Sequence, residues 1–168
     1  ILTNIQYNNS IKKNMKIGFI LPCYHEFENL FILINQIKKI FKNHLIIVID
    51  DSSTNEIKYK IKKYKNIKYF KRKTKPGRGS SVLFEINKIL KEKKINHIVE
   101  MDTDLSSHPK ELIKNLKFFN KKKLDLLIMS RYLDGSKIIN WPLRRKIFSF
   151  LSNKLAYFLL KVEVSDYT

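Results

Sequence analysis

Short apolar runs alternate with helical patterns along most of this chain. The apolar residues between Asn29 and Phe41 recur at helical spacing, whereas runs such as HLIIVI are typical of buried strands. The predicted strands are Lys16–Leu21, His44–Ile49, Ile67–Phe70, His97–Met101 and Leu124–Met129. The predicted helices are Asn29–Phe41, Asn55–Tyr64, Ser80–Lys93, Pro109–Asn120 and Arg144–Lys161. This alternation predicts an α/β fold, a mainly parallel sheet flanked by helices.

Polar residues gather where four of the predicted strands end. In parallel sheets of this kind, ligands bind outside the carboxyl ends of the strands. The polar groups at those ends are Pro22 to Glu26, Asp50-Asp51, Asp102-Thr103-Asp104 and Ser130-Arg131. We therefore expect four loops to converge on one rim and to form the functional site.

The charge of the chain is strongly positive. The 168 residues suit one domain, and 34 Lys and Arg against 15 Asp and Glu give a formal net charge of +19. Such a charge favours a partner rich in phosphate: a nucleotide, a nucleic acid or an anionic membrane. Most of the excess is lysine on helix faces, which is the ordinary pattern of a solvated surface. The few arginines are therefore more informative than the many lysines.

The ends of the chain and its single cysteine add little chemistry. Cys23 is the only cysteine, so no internal disulfide can form, and we interpret it as a strand-end residue in a protein of a reducing compartment. No apolar run reaches the roughly 18 residues of a membrane span. Residues 1–14 are expected to be a poorly ordered extension before Met15, and residues 15–168 a domain that is incomplete at its C-terminus.

The last predicted helix, Arg144–Lys161, has two open interpretations. It begins with three basic residues and continues with many apolar ones. Such a helix can lie in a membrane interface. It can equally be a core helix whose partner segment follows residue 168.

The Asp-x-Asp at Asp102 and Asp104 places two carboxylates in one loop. Mg²⁺ and Mn²⁺ prefer such oxygen ligands and combine them with substrate phosphates. The alternative is that the two side chains only cap a strand and a turn. Haloacid-dehalogenase-type phosphatases and response-regulator receivers also carry acidic pairs after strands. Both of these protein classes normally carry the acidic pair after the first strand. In this chain, Asp50-Asp51 follows the second predicted strand, and Asp102 and Asp104 follow the fourth.

Taken together, the motifs resemble family 2 glycosyltransferases of the GT-A fold, and more narrowly the dolichol-phosphate mannose synthase and polyprenyl-phosphate glycosyltransferase group. The resemblance covers roughly residues 15–168, with every motif in order. The matching segments are Pro22–Asn29, with His25 in place of Asn; Val48–Thr54, with Ser52 in place of Gly; Gly77–Ser80; Met101–Ser106; Ser130–Tyr132; Trp141, Arg145, Ser149 and Asn153; and Asp166-x-Thr168. The Gly-Phe-Arg that usually follows the last motif is absent from this sequence, so an arginine that the family uses near the reaction centre is expected to be missing.

The resemblance implies a role for each motif. The donor nucleotide would be held by Pro22, Tyr24, Glu26, one of Asp50 and Asp51, and the turn at Gly77 and Gly79. Asp102 and Asp104, with Ser106 nearby, would hold Mg²⁺ or Mn²⁺ on the donor diphosphate. Arg131 and Arg145 would grip the phosphate of a lipid acceptor, since a guanidinium binds phosphate oxygens bidentately. Asp104, Arg131 and Arg145 are thus the expected catalytic residues.

The implied activity is transfer of a sugar, with inversion, from a GDP- or UDP-sugar to a polyprenyl or dolichyl phosphate. Such an enzyme is expected at the cytoplasmic face of a membrane, in peripheral contact with it. One alternative is a family 2 transferase with a hydroxyl acceptor, which would not need the two arginines. Another is a basic nucleic-acid-binding module. The chain shows no signature of nucleic-acid binding, so we expect no nucleic acid partner.

Overall fold

The computed structural model describes residues 16–42, 44–72, 86, 88–90, 92, 95–133, 141–162 and 164–167. In chain order, these residues form β1 (Ile17–Cys23), α1 (Phe27–Ile40), β2 (His44–Asp50), α2 (Glu56–Ile61), β3 (Ile67–Lys71), β4 (His97–Glu100), α3 (Glu111–Lys122) and α4 (Leu143–Leu160). The chain divides into two compact units between Lys117 and Phe118. Among the described residues, no helix combines the length and the hydropathy that crossing a bilayer requires.

The first unit contains a parallel sheet with the strand order β3-β2-β1-β4. β1 pairs in parallel with β2 from Ile17 opposite His44, and with β4 from Ile17 opposite His97. Successive residues of β1 and β2 are buried on opposite faces, which explains why these strands are continuous apolar runs. The predicted α/β fold with a mainly parallel sheet is therefore confirmed.

Both faces of the sheet are covered by apolar side chains. On one face, Phe19, Leu21 and Val48 pack with Leu30 of α1 and Leu112 of α3. The opposite face has a smaller cluster of four buried residues, Ile20, Ile47, Ile49 and Ile89. The helix predicted over Ser80–Lys93 falls largely outside the described residues, but Ile86, Lys88 and Ile89 are helical.

The predicted strand at Leu124–Met129 is wrong. This segment belongs to the second unit and has no strand structure. Its apolar side chains are largely exposed, with Leu126 at 73 % and Met129 at 42 %. The apolar run resembled a buried strand, but it pairs with no strand of the described residues. The four-loop prediction required a sheet strand directly before Ser130-Arg131. No such strand precedes them among the described residues.

Candidate functional site

Three loops share the carboxyl edge of the sheet in the first unit. They follow β1, β2 and β4, whose parallel pairing with β1 in the middle brings their ends together. Backbone hydrogen bonds join them: Asp51 N–H donates to the carbonyl of Cys23 at 3.0 Å, and Met101 N–H donates to that of Ile20 at 3.0 Å. Three of the four predicted polar groups therefore lie on one rim.

Thr103 anchors the Asp-x-Asp segment to the loop after β1. Its side chain is buried, and Oγ1 lies 3.0 Å from the carbonyl oxygen of Pro22 and within hydrogen-bonding distance of the Glu26 carboxylate. The two flanking carboxylates differ in environment, because Asp102 is half-buried and Asp104 is exposed. The inward-facing threonine thus holds the acidic pair at the rim next to predicted nucleotide-binding residues.

A tight turn follows Asp104. Its Oδ1 accepts a hydrogen bond from the backbone N–H of Ser106 at 2.9 Å, and Leu105 between them has a φ of 61°. Aspartate commonly stabilises turns through such a bond two residues on. The predicted metal ligand Ser106 therefore supports Asp104 through its backbone, and its own side chain is exposed.

The donor set at this rim suits a hard divalent cation only if a substrate completes it. Asp102 and Asp104 supply carboxylate oxygens, the ligand type that Mg²⁺ prefers. Within the described part of the chain, no three Asp, Glu, His or Cys side chains gather as metal ligands. Mg²⁺ is typically bound by one or two carboxylates together with substrate phosphates, so the residues present fit such a cation.

Asp50 is a fully buried carboxylate that is held by the protein itself. It accepts hydrogen bonds from Ser52 N–H at 2.8 Å, Ser52 Oγ at 2.5 Å, Tyr69 Oη at 2.7 Å and Lys71 Nζ at 3.1 Å. Burial alone would raise its pKa, but these donors outweigh burial and lower the pKa below its ordinary value. Asp50 is therefore an ionised anchor that fixes the loop after β2.

Asp51 faces Arg72 in a two-pronged ion pair. Arg72 Nε and Nη2 lie 2.5 Å from Asp51 Oδ1 and Oδ2, and both side chains are largely buried. Arg72 directly follows β3, the neighbour of β2, so the parallel sheet places the two residues side by side. No role was predicted for Arg72 from the sequence, although its position directly after a predicted strand was a usable signal.

The loop after β1 combines exposed aromatic rings with a sharp backbone turn. Tyr24 is 56 % exposed, and its ring centroid lies 4.4 Å from that of His25. His25 has a φ of 59°, a conformation that Asn and His adopt more readily than most residues. This explains how histidine replaces the asparagine of the matching motif. Gly77 and Gly79, predicted to bind the nucleotide, lie outside the described residues.

Cys23 at the end of β1 is not a reactive thiolate. Desolvation by burial is the main cause that raises its pKa to about 11. The thiol is therefore protonated near neutral pH, as expected for a strand-end residue without a nucleophilic role.

A second cluster lies within the second unit and surrounds Trp141. The guanidinium carbon of Arg145 lies 4.1 Å from the indole centroid, and that of Arg131 lies 5.1 Å from it. Arg131 also forms a two-pronged ion pair with the buried carboxylate of Asp166, with Nε at 2.8 Å and Nη2 at 2.7 Å. The structure thus brings the two predicted acceptor arginines together.

Residues of α4 hold the surrounding loops. Arg145, Ser149 and Asn153 are spaced by four, so they lie on one face of the helix. Ser149 Oγ accepts a hydrogen bond from Tyr132 Oη at 2.6 Å, and Asn153 Oδ1 accepts one from Tyr167 N–H at 2.8 Å. Ser149 and Asn153 therefore fasten the segments that carry Arg131 and Asp166. The contact of Asp166 with Arg131 was not predicted from the sequence, because no local pattern pairs residues so far apart.

Solved structures with a similar fold give the class of the protein. Two crystal structures of S. aureus TarS, one of them titled TarS 1-349, superimpose with a TM-score of 0.53 and 23% identity. They cover 74% and 75% of this chain, and 38% and 23% of their own. The fold is that of the GT-A glycosyltransferases.

The family follows from the sequence match. Residues 19–168 match the family described as Glycosyl transferase family 2. The chain therefore belongs to glycosyl transferase family 2, which confirms the family resemblance.

Three curated relatives narrow the similarity. A Pyrococcus furiosus dolichol-phosphate mannosyltransferase is 35% identical over 80% of this chain. A Mycolicibacterium smegmatis polyprenol monophosphomannose synthase is 29% identical over 95% of it, and a Micrococcus luteus undecaprenyl-phosphate mannosyltransferase 27% identical over 92%. The chain spans 38%, 61% and 64% of the lengths of these relatives.

Proposed function

We propose that this chain carries the catalytic site of a glycosyltransferase that moves a sugar from a nucleotide diphosphate sugar to a polyprenyl phosphate. The observation that carries the proposal is the anchored Asp-x-Asp: Thr103 is buried against the loop after β1, and Asp104 is exposed at the rim. The names of the three relatives support a polyprenyl phosphate acceptor and mannose as the sugar. The donor is GDP- or UDP-linked.

On the donor side, Asp102 and Asp104 would hold Mg²⁺ or Mn²⁺ against the diphosphate. The cation supplies Lewis-acid stabilisation of the negative charge that builds on the leaving diphosphate. Glu26 and Tyr24 lie in the loop that Thr103 joins to this segment, which supports their proposed contact with the nucleotide. Asp51, held by Arg72, is a better candidate for a nucleotide contact than Asp50, whose carboxylate is saturated by protein donors.

On the acceptor side, Arg131 and Arg145 would bind the phosphate of the lipid. An oxygen of that phosphate attacks C1 of the sugar, the bond from C1 to the diphosphate oxygen breaks, and the nucleoside diphosphate leaves with inversion at C1. The acceptor phosphate is already anionic near neutral pH, so no strong general base is required. Transfer requires the anionic acceptor to approach the anionic donor, and the two arginines would offset the negative charge of the acceptor phosphate.

The surface of α4 supports contact with a membrane, where a polyprenyl phosphate resides. Its exposed apolar side chains include Phe148 at 74 % and Phe158 at 75 %. The first turn contains Arg144, Arg145 and Lys146 and no acidic residue. Apolar and cationic side chains on one exposed helix are typical of binding at an anionic lipid interface. We propose peripheral contact at a cytoplasmic membrane face.

The test is calorimetric titration of the chain with GDP and with UDP, each with and without Mg²⁺ or Mn²⁺, followed by a transfer assay with a polyprenyl phosphate. We expect metal-dependent binding of one nucleotide. Asp104→Ala should abolish both this binding and transfer, while Asp125→Ala, an exposed aspartate of the second unit, should leave both unchanged. Turnover near the wild-type value in Asp104→Ala would refute the metal-site assignment.

A further inference from the structure

Two cationic side chains of the second unit share one aromatic ring. The distances of 5.1 Å for Arg131 and 4.1 Å for Arg145 are both measured to the indole of Trp141. The two guanidinium groups therefore contact the same indole ring. A guanidinium over the face of tryptophan is attracted by the ring quadrupole, and tryptophan is the best aromatic partner for it.

Arg131 is also fixed from a second direction. Asp166 accepts hydrogen bonds from Arg131 Nε and Nη2, and from the Arg131 backbone N–H at 3.0 Å. The Asp166 carboxylate is only 4 % exposed, whereas the Arg131 side chain is 34 % exposed. Asp166 therefore sets the orientation of the Arg131 guanidinium and offsets one of the two positive charges.

The positive charge of Arg145, which Asp166 does not offset, lies near the N-terminus of a helix, where a cation is disfavoured. Arg145 belongs to the first turn of α4, which contains three basic residues and no acidic one. The N-terminal end of a helix carries a partial positive charge, so acidic residues are favoured there and basic ones are disfavoured. An anion bound at this end would relieve the repulsion, since helix N-termini and arginines both attract phosphate.

We propose that Trp141 is a positioning residue that holds the guanidinium groups of Arg131 and Arg145 within reach of a single phosphate monoester. The inference rests on the proposed acceptor role of the two arginines and assigns the residue that sets their spacing. The attraction of both cations to the indole offsets part of the repulsion that would otherwise drive them apart. Trp141 itself does not contact the reacting atoms.

The chain contains a single tryptophan, so its fluorescence reports on this cluster alone. The first experiment titrates the chain with farnesyl phosphate, with inorganic phosphate and with farnesol. We expect a saturable change in Trp141 fluorescence with farnesyl phosphate, a weaker one with inorganic phosphate and none with farnesol. A response to farnesol equal to that of farnesyl phosphate would show that the tail, not the phosphate, is sensed, and would overturn the proposal.

A matched pair of variants separates the arginine cluster from general positive charge. Arg145→Ala and Lys154→Ala each remove one positive charge from α4, and of these two side chains Arg145 lies over Trp141, whereas Lys154 lies over Phe150. The affinity for farnesyl phosphate should fall roughly tenfold or more in Arg145→Ala, as for the loss of a charge-assisted hydrogen bond. It should change less than about twofold in Lys154→Ala. Equal losses in both variants would overturn the proposal.

A second pair tests the indole. Trp141→Phe keeps an aromatic face, and Trp141→Leu removes it. We expect Trp141→Leu to raise KM for the prenyl phosphate roughly three- to tenfold with kcat little changed, and Trp141→Phe to recover most of that loss. A lower unfolding temperature in both variants with an unchanged KM would show that Trp141 serves packing only, and would overturn the positioning role.

The failure of this inference is distinguishable from that of the proposed function. If the wild-type chain shows no transfer to any prenyl phosphate, the proposed function fails. Calorimetric affinities for farnesyl phosphate then replace KM in the comparison of Trp141→Leu with Trp141→Phe. If transfer is present and both tryptophan variants bind the acceptor like the wild type, the positioning role alone fails.

Discussion

At the scale of single residues, Asp50 combines complete burial with a network of donors. Four hydrogen bonds reach its carboxylate from Ser52, Tyr69 and Lys71. The same contacts affect Tyr69, whose pKa is raised by burial first and then by its hydrogen bond to Asp50. Tyr69 therefore remains a protonated donor at any ordinary pH. The network joins the ends of β2 and β3 and keeps the loop with Asp51 in place.

Asp50→Asn should destabilise the chain by about 1–3 kcal/mol, because the amide leaves Lys71 without its counter-charge and one donor without an acceptor. The free energy of unfolding in urea measures the loss. Asp125→Asn, at an exposed site, is the control and should stay within about 0.5 kcal/mol of the wild type.

The difference in stability between the wild type and Asp50→Asn should depend on pH in a direction that the pKa of Asp50 defines. The folded-state pKa of Asp50 lies below its ordinary value of 3.8, so the carboxylate stabilises the fold above that value. This contribution is lost as the pH falls through the folded-state pKa. The difference in stability between wild type and Asp50→Asn should therefore narrow on acidification below about pH 4. A constant difference down to strong acid would contradict the ionised state of Asp50.

At the scale of elements, β1 owes its close packing to Gly18. A Cβ at this position would meet Ile89 at Cδ1 and, at 3.0 Å, at Cγ1, and would lie 3.1 Å from Cγ2 of Ile95. Ile89 belongs to the smaller core cluster on one face of the sheet. The glycine thus permits a helical residue to sit directly on the central strand.

Gly18→Ala should cost about 1–3 kcal/mol through overpacking against Ile89. Ile89→Val removes the Cδ1 atom that would clash, so the double variant should be more stable than the sum of the two single losses predicts. The free energies of unfolding in urea of the wild type, the two single variants and the double variant complete a double-mutant cycle. Strict additivity would show that the strand tolerates the extra methyl group without contacting Ile89.

The elements that the sequence predicted best are those with a strong internal pattern. β1, β2 and α1 were found to within a few residues, because their apolar runs and helical spacing reflect burial directly. Leu124–Met129 carries a similar apolar run, yet its side chains are exposed and it is not a strand. A run of apolar residues records hydrophobicity, but strand formation also requires a neighbouring edge, which one sequence does not reveal.

The candidate site was predicted unevenly for the same reason. The loops at the carboxyl edge followed from strand order and parallel topology, so the grouping of Glu26, Asp51 and Thr103 was within reach. The contact of Arg131 with Asp166 joins residues 35 positions apart without any strand to align them. The roles given to individual site residues stay predictions.

At the scale of the whole molecule, the net charge of +19 and the apolar surface of α4 act together. Electrostatic attraction to anionic lipid weakens as salt screens it. Burial of apolar side chains is insensitive to moderate salt, and each large side chain contributes about 1.5–3 kcal/mol. The two contributions to membrane binding are therefore separable by experiment.

The chain should sediment with phosphatidylglycerol vesicles more strongly than with phosphatidylcholine vesicles, and added salt should weaken this binding without abolishing it. Phe148→Glu and Phe158→Glu should each reduce binding roughly tenfold or more. Phe118→Glu, at a 49 % exposed position on α3, is the control and should have little effect. If binding disappears at high salt and both α4 variants bind like the wild type, membrane binding depends on charge alone.

The position of Cys23 has a consequence for how the folding of this protein can be followed. The only thiol of the chain is 2 % exposed in β1, the strand that pairs with neighbours on both sides. A maleimide reaches this buried sulfur only after the end of β1 has moved away from β2, with which Cys23 pairs opposite Asp50. Each modified molecule thus records one past opening at this end of β1, and the labelling rate measures how often that opening occurs.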